Sequence, residues 1–188
     1  MSSSGKYEMS GISQKVYYWD ACIYLALLKN EQSHGKPHMD SIIQIAKDNF
    51  ALKNTIITSV LTMTEVLSSS LTPGQEEAFL KTFKATNHTL YDVDYGIAKK
   101  ARKFREAFLN HPSGKKFTTP DAIHAATAVV YKAHEMHTFD DGQKEKRQLG
   151  LLELNGHDGV EKLIICKPLV DLEMSFFDPP PSRPGEPN

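Results

Sequence analysis

Strand-like and helix-like stretches alternate through the whole middle of this chain. That alternation restricts the fold to an α/β type with a mainly parallel sheet covered on both faces. Val16–Asp20 (VYYWD) is β-branched and aromatic, a strand signature, and Ala21–Lys29 follows with good helix formers. Asn30–Pro37 reads as a polar loop, and Asp40 as the cap of a helix running to about Lys53. Thr55–Thr58 is a short strand leading into a helix over Ser59–Ser69. Thr72-Pro73, with Gln75 in capping-box position, starts a helix that ends near Thr86. Leu90–Val93 is the next strand, and Asp94 caps a long helix that stops before Pro112. Thr119-Pro120 opens a helix over Asp121–His134, and Met136–Phe139 and Lys162–Lys167 are the last strands. In such sheets ligands bind beyond the carboxyl ends of the strands. Functional residues are therefore expected at strand ends or in the first turns of the following helices.

Four acids meet that demand. Asp20 ends the first strand, Glu65 lies in the helix after TIIT, Asp121 stands in the first turn of its helix, and Asp140 follows the strand MHTF. Each sits among apolar or small residues, where a charge is costly unless paired or bound to a cation. Each also has an ordinary explanation. Asp20 can cap a helix, Glu65 can be an exposed helix acid, and Asp121 suits a helix N-terminus. Asp140 and Asp141 can be turn residues before Gly142. Convergence at one sheet edge weighs more than any single acid. Gathered carboxylates repel, a divalent ion removes that conflict, and an all-oxygen ligand set suits Mg²⁺ or Mn²⁺.

With 188 residues and a formal net charge of -1, the chain has the size of one domain, and its total charge neither favours nor excludes nucleic acid. Charge distribution says more. Lys99–Lys116 carries Lys99, Lys100, Arg102, Lys103, Arg105, Lys115 and Lys116 against Glu106 alone, and Lys144, Lys146 and Arg147 form a second basic group. Either group suits phosphate contact or a solvated face. Lys115 and Lys116 precede Asp121, which makes them the better phosphate grip. Cys22 and Cys166 lie far apart with no C-x-x-C pair, so packed, reduced thiols are expected rather than a structural zinc site. No apolar run is long enough to span a membrane and Met1–Ser10 is polar, so a cytoplasmic protein is expected.

VYYWDACIYLALL, TSVLTMTEVL, TTPDAIHAATA and HTFDDG, in that order and spacing, resemble the four motifs of PIN-domain nucleases, above all toxins of the VapC type. The likeness covers about residues 15 to 168, and the third motif is its most specific part. It implies a three-layer α/β/α sandwich over residues 12–170, flanked by a flexible tail (1–11) and a Pro-rich tail (171–188). It also implies Mg²⁺- or Mn²⁺-dependent cleavage of RNA. By position, Asp20, Glu65, Asp121 and Asp140 take the four acidic roles, with Asp141 as a competitor for the last. Thr138 takes the place of a residue that orients the site. A homodimer and a cognate antitoxin protein that plugs the acidic pocket follow from the resemblance alone. His124, one turn after Asp121, is either a substrate contact or a packed core residue.

Other acid-dependent enzymes fit less well. A phosphatase of the haloacid-dehalogenase type needs an Asp two residues after Asp20, where this chain has Cys22. A catalytically weak RNA- or protein-binding module with the same fold remains as the alternative.

Overall fold

A computed structural model describes residues 14–142 and 147–170. The expected tails, 1–11 and 171–188, lie outside the described residues, as do Lys144 and Lys146. Five strands form one sheet: β1 (Lys15–Trp19), β2 (Asn54–Ser59), β3 (His88–Tyr91), β4 (Glu135–His137) and β5 (Ile165–Cys166). Their order is β3-β2-β1-β4-β5, and every pairing is parallel. The helices are α1 (Ala21–Lys29), α2 (Lys36–Phe50), α3 (Val60–Leu67), α4 (Pro73–Thr82), α5 (Tyr95–Ala107) and α6 (Thr119–Val130). No helix among the described residues is long and apolar enough to cross a membrane.

Strand alternation sorts the side chains into two cores, one on each sheet face. Tyr18, Ile57 and Met136 pack with Ile97, Ala101 and Phe104 of α5 and Ala122, Ala125 and Ala126 of α6. Tyr17, Trp19 and Ile56 pack on the other face with Ile23 and Tyr24 of α1, Ile42 and Ile45 of α2, and Phe79 of α4. The result is the three-layer α/β/α sandwich that the motifs implied.

Local signals place most boundaries. The Thr72–Gln75 capping box forms, and the Asp94 side chain accepts from the Ile97 amide. Several boundaries shift; the strand expected over Lys162–Lys167 is only Ile165–Cys166, and α4 ends at Thr82 rather than near Thr86. α2 starts at Lys36 because Pro37 sits in its first turn; Asp40 is inside the helix and pairs with Lys36 rather than capping. α6 is capped by Thr118, one residue earlier than expected, and ends at Val130. β3 starts two residues earlier than expected, and β4 stops before Thr138.

One buried histidine makes the fold pH-sensitive. His88 is 7% exposed, and its Nε2 lies 2.6 Å from the Tyr24 hydroxyl. Burial lowers its pKa from 6.5 to about 4. As pH falls from 6.5 towards 4, the unfolded chain takes up a proton that the folded one refuses, so folding loses about 3 kcal/mol in all. Urea denaturation across this range should show that loss in the wild type. His88→Gln should lack this part of the decline, and equal pH slopes would contradict the assignment.

Candidate active site

The sheet grows in one direction from β1 to β2 and β3, and in the other through β4 and β5. At such a switch point the connections diverge and leave a crevice above the carboxyl ends of the two central strands. Asp20 leaves β1 into that crevice. It is 8% exposed, and its Oδ1 caps α1 by accepting from the Ala21 amide at 2.7 Å. Its Oδ2 accepts from the Thr138 hydroxyl at 2.8 Å. Thr138, just past β4, also accepts from the Asp140 amide at 3.0 Å, so one hydroxyl bridges the two acidic positions. Asp140 is fixed by the Gly142 and Leu151 amides, which donate to its two oxygens at 3.0 and 2.9 Å. Asp121, in the first turn of α6, accepts from the hydroxyl of the capping Thr118. Glu65 comes from α3 and meets His124 of α6, with Oε2 and Nε2 2.8 Å apart.

Glu65, Asp121 and Asp140 line one cavity of about 330 Å³, together with Thr118, Pro120, Gln148 and Leu149. Asp20 joins them through His124, whose Nε2 is 3.8 Å from Asp20 Oδ1. The charges strain against one another. Burial pushes Asp121 up to about 6; the Thr118 hydroxyl opposes this, and the charges of Asp140 and Asp20 add to it. Asp140 is raised by burial against the Leu151 and Gly142 amides, with Asp20 and Asp141 contributing. Burial alone would lower His124, but Tyr18, Glu65 and Asp20 outweigh it and hold its pKa well above the usual imidazole value. A divalent cation is the simplest neutraliser of such a set. Ligand atoms of Asp20, Glu65 and His124 all lie within 4.8 Å of one another, and Asp121 and Asp140 bring further oxygens to the cavity. The donor set fits a hard divalent ion.

The crevice gathers all four acids. Asp140, rather than the exposed Asp141, lines the cavity. Other expectations need correction. His124 is 1% exposed with its ring nitrogens on the Tyr18 hydroxyl, at 2.6 Å, and on Glu65, so it is packed and positions Glu65 rather than touching a substrate. Its nitrogen also lies inside what was expected to be an all-oxygen cluster. Thr138 is fully buried and holds Asp20, which suits an orienting role and not substrate contact. Lys115 is tied to both oxygens of Glu153 at 2.7 Å. Lys116 is exposed, yet it lines a separate cavity with Arg105, Phe108, Leu109 and Phe117. On α5, Lys100 pairs with Glu161 and Arg102 with Glu106, which blunts the basic face.

Sequence reasoning missed Thr118, which stands in a run of hydroxyls before Pro120 that could have signalled it. It also missed the Tyr18–His124 contact, which carried no local signal, and the placement of Cys22. That thiol lies 3.3 Å from both Asp20 Oδ2 and Thr138 Oγ1.

The sequence profile of the PIN domain family matches residues 17–149. Among solved structures, the fold is similar to that of VapBC2 from Rickettsia felis bound to a DNA fragment from its promoter. The TM-score is 0.50 at 17% identity, over 80% of this chain and 96% of that one. It also matches VapC20 of Mycobacterium tuberculosis, a Sarcin-Ricin loop cleaving toxin, with a TM-score of 0.47 at 16% identity, over 66% of this chain and 89% of that one. At these identities the likeness concerns the fold alone. No curated protein matches the sequence.

Proposed function

Because this chain belongs to the PIN domain family, we propose that it is a metal-dependent ribonuclease that hydrolyses phosphodiester bonds in RNA. The observation that carries the reading is the gathering of carboxylates at the switch point: Glu65, Asp121 and Asp140 line one cavity, and Asp20 reaches them beside His124. Asp20, Glu65, Asp121 and Asp140 would hold Mg²⁺ or Mn²⁺. Such an ion, when bound, supplies positive charge to the non-bridging oxygens and activates water for in-line attack.

The chain's own residues prepare that chemistry. Thr138 and the Ala21 amide lock Asp20, leaving its remaining lone pairs for a ligand. The Gly142 and Leu151 amides do the same for Asp140. His124, anchored on Tyr18, orients Glu65. Lys116 and the exposed cations of α5, Lys99 and Lys103, are the phosphate contacts in this reading, since Lys115 is engaged by Glu153. Residues that fix ligands in this way typically change metal affinity about 10–100-fold when removed.

The same reading makes the protein a cytoplasmic toxin, homodimeric, with an antitoxin partner that covers the acidic crevice.

The test is cleavage of a mixed RNA substrate by the full chain. Cleavage should require Mg²⁺ or Mn²⁺, stop on adding EDTA and return with excess metal. Cleavage that persists in EDTA would overturn the metal-dependent reading. A chain that binds Mn²⁺ but leaves every RNA intact would favour a binding module.

A further inference from the structure

A second cluster of metal-binding side chains lies away from the acidic crevice. Glu135 and His137 alternate along β4 and point to the same face, and Cys166 is the register partner of His137 on β5. That face is the one carrying Tyr17 and Trp19, whereas α6 covers the other. His137 Nε2 is 3.1 Å from Glu135 Oε2, and Cys166 Sγ is 4.0 Å from the same oxygen. One ligand atom from each of the three residues falls within 4.8 Å of the other two.

We propose that Glu135, His137 and Cys166 form a binding site for a zinc-like transition-metal ion. Tetrahedral zinc, with bonds of about 2.0–2.3 Å, sets its ligand atoms roughly 3.3–3.6 Å apart. The Nε2–Oε2 and Sγ–Oε2 separations of 3.1 and 4.0 Å fall on either side of that range, and all three ligand atoms lie within 4.8 Å of one another. A thiolate, an imidazole and one carboxylate favour zinc or a similar borderline ion over Mg²⁺. The His137 side chain is 1% exposed and its ring stacks on Tyr17 with centroids 4.8 Å apart, which fixes the ring with Nε2 on Glu135.

The site is accessible. Cys166 is half-buried and the Glu135 side chain is 24% exposed. Lys15 holds the other oxygen of Glu135 at 3.2 Å, but its side chain is 59% exposed and the pair is a weak competitor. Binding replaces the Cys166 thiol proton, which is released to solvent, by the metal–sulfur bond.

The ion would clamp β5, a two-residue edge strand, onto β4. The backbone of this corner supports the crevice: the Asp20 amide donates to His137 O at 3.2 Å, and the Thr138 amide to Cys166 O at 3.1 Å. C-x-x-C spacing could not reveal such a site, because the ligands come from neighbouring strands.

Co²⁺ is the probe. Added to the full chain in excess Mg²⁺, one equivalent should give thiolate-to-cobalt absorption and the d–d bands of tetrahedral cobalt, both bleached by Zn²⁺. Cys166→Ser should lose the thiolate band, while Cys22→Ser and Asp20→Asn should keep it. Glu135→Gln should retain the band but weaken Zn²⁺ competition about tenfold or more. Zn²⁺ should raise the unfolding midpoint of the wild type and of Asp20→Asn, but not of Cys166→Ser. No thiolate band in the wild type, or a band that survives Cys166→Ser, would overturn the proposal. Because Asp20→Asn removes a proposed nuclease ligand and leaves this site intact, failure here is separable from failure of the nuclease reading.

Discussion

Asp20→Asn and Asp121→Asn are each expected to cut metal-dependent RNA cleavage by about 10²–10³-fold, the scale on which lost electrostatic stabilisation acts. Both changes keep size and remove charge. Asn caps helices about as well as Asp, so the Ala21 contact that starts α1 should survive. The Thr138 hydroxyl can turn to accept from the new amide instead of donating to a carboxylate. At Asp121 the Thr118 cap stays in place while the charge shared with Asp140 and Asp20 disappears. Single-turnover cleavage assays should therefore show lost activity at nearly unchanged unfolding midpoints. Wild-type rates in both variants would remove these acids from the chemistry.

Gly150→Ala should be the most damaging small substitution near the crevice, destabilising the fold by about 1–3 kcal/mol or more, as overpacking does. A Cβ at Gly150 would lie 2.1 Å from the Gly142 amide nitrogen and 2.3 Å from the Asp141 carbonyl carbon. Those neighbours are backbone and cannot swing aside. Gly142 is equally confined: its φ is +85°, and a Cβ there would meet the Gly150 nitrogen at 2.6 Å. Separating the two strips Asp140 of the Gly142 amide and shifts the loop that aims it. Urea denaturation should show the loss, with cleavage falling alongside. Gly74→Ala, in open space within α4, serves as the control and should be neutral or slightly stabilising. Equal stability of Gly150→Ala and the wild type would mean that the Asp140 loop is not held in this way.

Much of this architecture is legible in the residues. Cap chemistry is local, so Thr72-Pro73-Gly74-Gln75 and Asp94 announce α4 and α5 without reference to the rest of the chain. Strand ends are less legible. Strands carry no cap residue to mark where pairing stops: β3 and β4 each slip by a residue or two, and the strand expected over Lys162–Lys167 shortens to Ile165–Cys166. The four acids are legible because topology sends strand ends to one edge. What joins them is not. Tyr18 and His124 are 106 residues apart, and Lys115 and Glu153 are 38 apart. Composition around Lys115 suggests a free cation, and only the folded chain shows Glu153 occupying it. Cys166 illustrates the same limit, since its partners Glu135 and His137 belong to another strand.

Calorimetric titration of the full chain with Mn²⁺ reads out whether the gathered carboxylates hold a divalent ion. The wild type should bind Mn²⁺ with saturable heat, and Asp20→Asn and Asp121→Asn should each lose most of that heat while remaining folded. Identical isotherms for all three proteins, or no saturable heat in the wild type, would contradict a metal site there.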